Sequence, residues 1–312
     1  MTVTFRPAVR ENVGLLIGLV GGTGSGKTFT AMRLASGISG GKPFAVVDTE
    51  AGRAKHYADK FRFDHADLAP PFRPDAYSEA IKAADAAGYP VIVVDSMSHV
   101  WAGDGGVLDW QEEELQRMAQ DDWQKRERVK MAAWIQPKVA HKKMVQRLLQ
   151  VRAHLILCFR AEEKVEMVRE NGKTVIVPKK SLTGLDGWIP ICDKSLPFEL
   201  TASMLLTAQK PGIPMPIKVE GDHRALFPDN RPLDEAAGEA IAAWARGGSP
   251  AQSQTVPDGE DRVLAIALVE AGKGTEALKA WWTANSRGLT NDWAAQHREN
   301  LKAIASAADL EG

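Results

Sequence analysis

Gly21-Gly22-Thr23-Gly24-Ser25-Gly26-Lys27-Thr28 narrows the possible folds of this chain more than any other stretch. It fits G-x-x-x-x-G-K-[ST], a phosphate-binding loop. Its flanks supply the context such a loop needs. Leu15-Leu16-Ile17-Gly18-Leu19-Val20 precedes it as an apolar run of buried-strand length, and Ala31, Leu34, Ala35 and Ile38 follow it as one apolar helix face. A strand, a glycine loop and a helix start direct several backbone N–H groups and a helix dipole onto one anion. The glycines let the backbone wrap a phosphate without Cβ clashes. Lys27 is placed to reach the β- and γ-phosphates, and the Thr28 hydroxyl to ligate Mg²⁺. The chain reads as one that binds a nucleoside triphosphate, ATP with Mg²⁺.

At 312 residues there is room for one large α/β domain and a small appendage. The formal net charge of -1 gives no global attraction to nucleic acid, so any such site must be a local patch. Cys158 and Cys192 form no C-x-x-C pair, and the seven histidines include no H-x-x-x-H pair. Zinc and histidine-built metal sites are therefore not expected, and the cysteine usage suits a reducing compartment. No apolar run reaches membrane-spanning length and the first residues lack the shape of a signal peptide, so a cytoplasmic protein without a membrane partner is expected.

Taken in order, Met1 to Asn12 reads as a lead-in strand or loop, and glycines from Gly37 to Gly41 stop the first helix. Phe44-Ala45-Val46-Val47 is a second buried strand ending on Asp48-Thr49-Glu50; Ala54 to Phe63 reads as helical, as does Tyr77 to Ala87. From Trp101 to Arg152 the chain is mostly helical, and its tryptophans read as packing residues before base-stacking platforms. Leu155-Ile156-Leu157-Cys158-Phe159 is a buried strand, and Val165 to Val177 a hairpin turning at Glu170-Asn171-Gly172-Lys173. Short strands follow at Ser203 to Thr207 and Met215 to Val219, and a helix at Glu235 to Ala245. Residues 247–261 have linker composition, rich in Gly, Ser, Pro and Gln. Residues 262–312 carry three short helical patterns, in which Leu278, Trp281, Trp282, Trp293, Leu301 and Ile304 can make a small core.

Val91-Ile92-Val93-Val94-Asp95 places a carboxylate at the carboxyl end of a strand, where ligands of parallel α/β sheets gather. Asp95 reads as the acid that orients Mg²⁺ through its water shell, with a helix-capping Asp as the alternative. Ser96, Met97 and Ser98 follow it, so no Glu stands directly after the metal-site acid. Hydrolysis needs a group that orients and deprotonates water in line with the γ-phosphate. Glu50, at the end of the preceding strand, is the available carboxylate.

At these residues the sequence resembles the RecA-like recombinase superfamily. Phe44 to Glu50 looks like its second strand with the catalytic Glu, and Val91 to Ser96 like its Walker B strand. Leu155 to Arg160 looks like the strand whose last polar residue senses the γ-phosphate. The resemblance covers roughly Leu15 to Trp244. It is closest to the compact RecA-like ATPases that bacteriophages encode beside single-strand annealing and recombination proteins, with Trp134 and Arg160 in the shared places. It implies an α/β fold: a RecA-like P-loop NTPase core over 1–246 with a mostly parallel central sheet flanked by helices, plus the small helical C-terminal module. It implies ATP hydrolysis with Lys27, Glu50 and Arg160 as catalytic residues, in the host cytoplasm if phage-encoded. RecA itself uses a glutamine where Arg160 stands; a salt bridge from Arg160 to Glu162 or Glu163 is the alternative to a sensing role.

Between Gln120 and Lys180 there are fifteen Lys+Arg against seven Asp+Glu, a local balance of about +8 in a chain of net charge -1. Such segregation is what a phosphate-backbone footprint looks like. Lys125, Arg126, Arg128, Lys130, Lys138, Lys142, Lys143 and Arg147 dominate its helical part, where a solvated helix face accounts for the pattern equally well. RecA-like folds bind DNA through loops at this end of the sheet, which makes Lys164, Arg169 and Lys173 the candidate contacts to single-stranded DNA, without sequence readout. RecA-like filaments also complete each active site with basic residues from the neighbouring subunit. Lys179 and Lys180, after the hairpin, are candidates for that trans role in a homo-oligomer, against a solvated turn pair. The segment between Arg160 and Lys179 is about twenty residues, much shorter than the second DNA-binding loop of full recombinases. A single-strand-annealing or single-strand-binding protein is the further partner the resemblance implies.

The competing readings are a nucleotide or small-molecule kinase, a packaging or helicase-type motor, and a nucleotide-gated binding module with little turnover. A kinase calls for an arginine-rich lid and an acceptor pocket, which the hairpin does not resemble closely. A motor pairs the core with a larger domain than the 51 residues after Asp261.

Overall fold

The computed structural model describes residues 13–170, 173–180, 186–247, 259–285, 289 and 291–311, which fall into two compact units, 13–247 and 259–311. The lead-in segment and most of the linker stretch lie outside the described residues. In chain order the first unit holds β1 (Leu16–Gly21), α1 (Lys27–Ser39), β2 (Phe44–Asp48), β3 (Phe63–Asp67), α2 (Pro74–Ala86) and β4 (Val91–Asp95). It continues with α3 (His99–Ala102), α4 (Val107–Ala119), α5 (Trp123–Val129), α6 (Ile135–Leu148), β5 (His154–Glu163), β6 (Val165–Glu170) and β7 (Lys173–Pro178). β8 (Trp188–Pro190), α7 (Leu196–Glu199), β9 (Ala202–Thr207), β10 (Lys210–Val219) and α8 (Glu235–Arg246) complete it.

The sheet runs β10-β9-β1-β5-β4-β2-β3, with β8 added antiparallel to the outer half of β5. Every pairing along the path from β9 to β3 is parallel, and β10, like β8, is antiparallel to its neighbour. Strands buried on both faces should be continuously apolar, and β1, β4 and the first half of β5 are. Alternate side chains feed opposite layers: Ile17, Leu19, Val91, Val93 and Ile156 pack under α1 and α8, while Leu16, Val20, Ile92, Val94 and Leu155 pack under α2 and α6. The fold is thus the expected α/β arrangement, a mostly parallel sheet flanked by helices, followed by C-terminal helices. β5 lies between β1 and β4 and so separates the phosphate-loop strand from the Asp95 strand.

Two local readings change. Residues 54–63 are not one helix: a short 3-10 turn, Arg53–Tyr57, leads into β3, whose sequence Phe-Asp-His-Ala-Asp has no apolar run because it is the sheet's edge. α1 runs through Gly37 and stops at Gly40, which takes the left-handed conformation at φ 57°. Gly37 serves packing instead. A Cβ there would stand 2.0 Å from the Glu235 carbonyl oxygen, and one on Gly238 would stand 2.3 Å from that of Leu34. The two glycines let α1 and α8 touch backbone to backbone, with the Arg33–Glu235 ion pair (2.6 Å) beside them. Gly238→Ala is therefore expected to lower stability by about 1–3 kcal/mol through overpacking, against alanine's better helix propensity. A urea unfolding midpoint equal to or above wild type would refute this packing account.

His154 opens β5 and is buried; its Nδ1 accepts the Leu15 N–H at 3.1 Å. Burial pushes its pKa down to about 4. A depressed folded pKa means that the neutral ring contributes stability above the unfolded value, ~6.5, and that this is lost as pH falls through about 4. At ~1.4 kcal/mol per unit the loss amounts to at most about 3 kcal/mol. The stability gap between wild type and His154→Leu should accordingly shrink from pH 7 to pH 4.5 in thermal unfolding; a constant gap would rule the coupling out.

In the second unit, α9 (Gly259–Ala271), α10 (Thr275–Asn285) and α11 (Asn291–Glu311) surround Ala267, Ala271, Leu278, Trp293, Leu301 and Ala305, with Trp281, Trp282 and Ile304 half-buried around them. Asp309 accepts the Thr275 N–H at 3.0 Å and ties α11 to the start of α10. No helix of the described residues is long and apolar enough to cross a membrane.

Candidate nucleotide site

Three parallel strands, β1, β2 and β4, end together beside β5, which runs on past them. Gly21 is level with Arg160 across β1 and β5, Asp48 with Asp95 across β2 and β4, and Asp95 with Cys158 across β4 and β5. The phosphate loop crosses above Gly21, with Gly24 and Gly26 at φ 75° and 82°. Gly21 has no room for a side chain: a Cβ would lie 2.4 Å from the Leu206 carbonyl oxygen and 2.6 Å from Ser25 Oγ. Ser25 Oγ donates to the Gly22 carbonyl at 2.8 Å. Lys27 Nζ donates to the Gly21 and Gly22 carbonyls at 2.8 and 2.9 Å, and burial lowers its pKa. An ammonium held this way can exchange carbonyl partners for phosphate oxygens.

Thr28 Oγ1 donates to Asp95 Oδ2 at 2.5 Å. Burial pushes the Asp95 carboxyl up to about 6; the Thr28 bond opposes the shift and the nearby Glu50 adds to it. A hydroxyl and a buried carboxylate in contact at the mouth of the loop are oxygen donors of the kind a hard cation takes, and a cation would also offset the burial of Asp95. The pair fits Mg²⁺.

Glu50, two residues past the end of β2, lies near enough to act on the Asp95 charge. Its Oε1 accepts from Arg160 Nη2 at 2.8 Å, and its Oε2 from Arg53 Nη1 at 2.7 Å. Arg160 therefore pairs across the sheet with Glu50, not with Glu162 or Glu163; Glu162 pairs with Lys164 at 2.9 Å. The structure thus brings Lys27, Thr28, Asp95, Glu50 and Arg160 into one cluster.

Sequence reasoning missed the framework behind the cluster. Thr49 Oγ1 accepts the Ser96 N–H at 2.8 Å and lies 2.7 Å from His99 Nδ1. Ser98 Oγ accepts the Arg160 N–H at 2.9 Å. Burial, and secondarily Arg160, hold the His99 pKa below its ordinary value. Asp48 accepts the Glu50 N–H (2.6 Å) and the Ala54 N–H (2.9 Å), with His65 Nε2 at 3.1 Å. These residues flank the motifs, but their partners are set by how the chain folds back: Asp48 bonds its own following loop and β3, and Thr49 the segment after β4.

β6 and β7 pair antiparallel as the expected hairpin and form a two-stranded sheet of their own; the expected turn at Asn171-Gly172 lies outside the described residues. Lys164, Arg169 and Lys173 are exposed on it, as are Val165, Met167 and Ile176. Lys179 and Lys180 are exposed just after it. In the helical part of the basic run, Arg126 pairs with Glu112, Lys130 with Glu127, Lys138 with Asp193, and Arg147 with Asp75. Trp101 and Trp134 stack at 6.2 Å and sandwich Lys138, so they serve packing. Trp123 is 73% exposed.

None of the curated proteins compared matches the chain. The pattern of the AAA domain family matches residues 14–192, from the start of β1 past β8. That span holds the phosphate loop, Glu50, Asp95 and Arg160 and is more than half of the chain, so the chain belongs to the AAA domain family of P-loop ATPases.

Proposed function

We propose that the protein hydrolyses ATP with Mg²⁺, is stimulated by single-stranded DNA, and works as a homo-oligomer in phage-type recombination or annealing. A single-strand-annealing or single-strand-binding protein is its proposed companion. One observation carries the reading: β5 is a single ten-residue strand that passes Arg160 beside Glu50 and runs on, through Lys164, into the exposed hairpin that bears Arg169 and Lys173. The strand that carries Arg160 thus leads, through Lys164 alone, into the hairpin of the candidate DNA contacts.

In this reading Lys27 and the loop N–H groups hold the phosphates. Thr28 and Asp95 hold Mg²⁺, which neutralises phosphate charge when bound. Glu50 orients water and accepts its proton. Both Glu50 oxygens accept from guanidinium groups, and each keeps a lone pair for a further hydrogen bond. A γ-phosphate offers Arg160 a more highly charged partner, and Arg160 moving to it frees Oε1 and stabilises charge on the transferring group. Lys179 and Lys180 are proposed to act on the neighbouring subunit's nucleotide.

The test is ATP hydrolysis measured with and without single-stranded DNA, together with charge reversal at Lys164, Arg169 and Lys173. Stimulation by DNA is expected in wild type. The triple reversal should weaken DNA binding and reduce its salt dependence by about one unit of slope for each phosphate left without its cation. Unchanged DNA affinity would move the footprint to the helices from Lys125 to Arg147 or remove it.

A further inference from the structure

We propose that the buried Asp48, backed by His65, is the positioning residue for Glu50. The proposal rests on the reading of Glu50 as the group that orients water.

The chain reverses direction between β2 and the 3-10 turn, and Glu50 sits inside that reversal. Ala51 takes φ 56° and Gly52 φ 81°, left-handed conformations that an alanine does not adopt unless its surroundings impose it. The Asp48 carboxylate spans the reversal: Oδ1 accepts the N–H of Glu50 at 2.6 Å, and Oδ2 that of Ala54 at 2.9 Å. One side chain thus holds the residue before the left-handed pair and the second residue after it. On its far side, His65 Nε2 from β3 stands 3.1 Å from Oδ2, which fixes the carboxylate's rotation. Asp48 is 2% exposed, so removing its acceptors leaves N–H groups with no water to replace them.

Thr49 completes the geometry from the other direction. Its N–H donates to the Asp95 carbonyl at 2.8 Å, and its hydroxyl accepts the Ser96 N–H. The main chain of Glu50 is therefore pinned to β4 on one side and to Asp48 on the other. Its carboxylate is held between Arg160 and Arg53 and is 11% exposed. A catalytic carboxylate held at its backbone in this way keeps its distance to the water it must orient.

The test is a double-mutant cycle of Asp48→Asn and Glu50→Gln, with His65→Gln and His65→Leu alongside. Read-outs are kcat and KM for ATP, equilibrium affinity for a fluorescent ATP analogue, and the thermal unfolding midpoint. An Asn side chain can accept only one of the two N–H groups and presents its own N–H₂ to the other. Asp48→Asn should lower kcat about 10- to 100-fold with nucleotide affinity held within about twofold. The double variant should be no slower than Glu50→Gln alone, since a misplaced base and a missing base lose the same step. His65→Gln, whose amide can donate to Asp48, should stay within about threefold of wild-type kcat, and His65→Leu should not. Losses that multiply in the double variant would overturn the proposal. So would an Asp48→Asn turnover within about threefold of wild type, or affinity falling together with the unfolding midpoint. If Asp48→Asn does not fold, the two His65 variants decide: equal turnover in both refutes the positioning role. A Glu50→Gln variant with wild-type turnover removes the base assignment itself, and the proposal with it. A dead Glu50→Gln beside a normal Asp48→Asn removes only the positioning.

Discussion

Lys27→Ala should lose tight ATP binding while the sheet stays folded. The side chain leans back over the loop it belongs to, with its ammonium on the Gly21 and Gly22 carbonyls, and packs into neither hydrophobic layer. Its removal therefore costs the loop two internal hydrogen bonds and costs the nucleotide its closest cation. Charge-assisted hydrogen bonds are worth about 1.5–3 kcal/mol each, and two such bonds to phosphate together give a loss on the order of 10²-fold or more in affinity. Titration with a fluorescent ATP analogue reads the loss, and a circular-dichroism melt within a few degrees of wild type confirms the fold. Normal affinity in this variant would reject the phosphate-loop assignment.

Glu50→Gln should keep ATP affinity and lose most turnover. The amide fills the same space and its oxygen still accepts from Arg160, but it takes up no proton. General-base contributions are typically ~10²–10⁴-fold, and the loss in kcat is expected in that range with KM little changed. Burst kinetics with radiolabelled ATP separates the chemical step from product release. A fall of less than about tenfold would place the base elsewhere and leave the Glu50–Arg160 pair as a structural tie.

How much of this the sequence discloses depends on where each partner lies. The phosphate loop, β4 with Asp95, β2 with Glu50 and the Asn-Gly hairpin are all contiguous signals, in which residue type and spacing alone demand the geometry. β3 escapes because an edge strand need not be apolar, and Phe63–Asp67 alternates charge along the sheet's open side. β8 escapes because its three residues, Trp188–Pro190, are strand only by pairing with β5. Gly37 shows a different limit. A glycine in a helix can mark a left-handed end or a missing Cβ, and only the neighbouring helix decides which. The same holds for Asp48, which reads as a strand terminus until the loop folds back on it. Arg160 is recognisable as a strand-end residue, but its partner is 110 positions away in the chain.

The continuity of β5 sets a length scale. From Arg160 to Lys164 the backbone is extended, and at about 3.3 Å per residue the base of the hairpin lies roughly 13 Å from the guanidinium's anchor point. Over that distance β8 braces the strand through Ala161, Glu162 and Glu163, so the segment is a stiff lever and not a tether. Its inner end is clamped at Arg160 by the Ser98 hydroxyl and by β1. A force that tilts the hairpin must therefore act at Arg160 as torque, directed at the contact with Glu50. Shortening or lengthening the segment by one residue would do more than shift the hairpin. Because side chains alternate faces along a strand, it would turn the exposed face of the hairpin over relative to Arg160, leaving the two joined but out of phase.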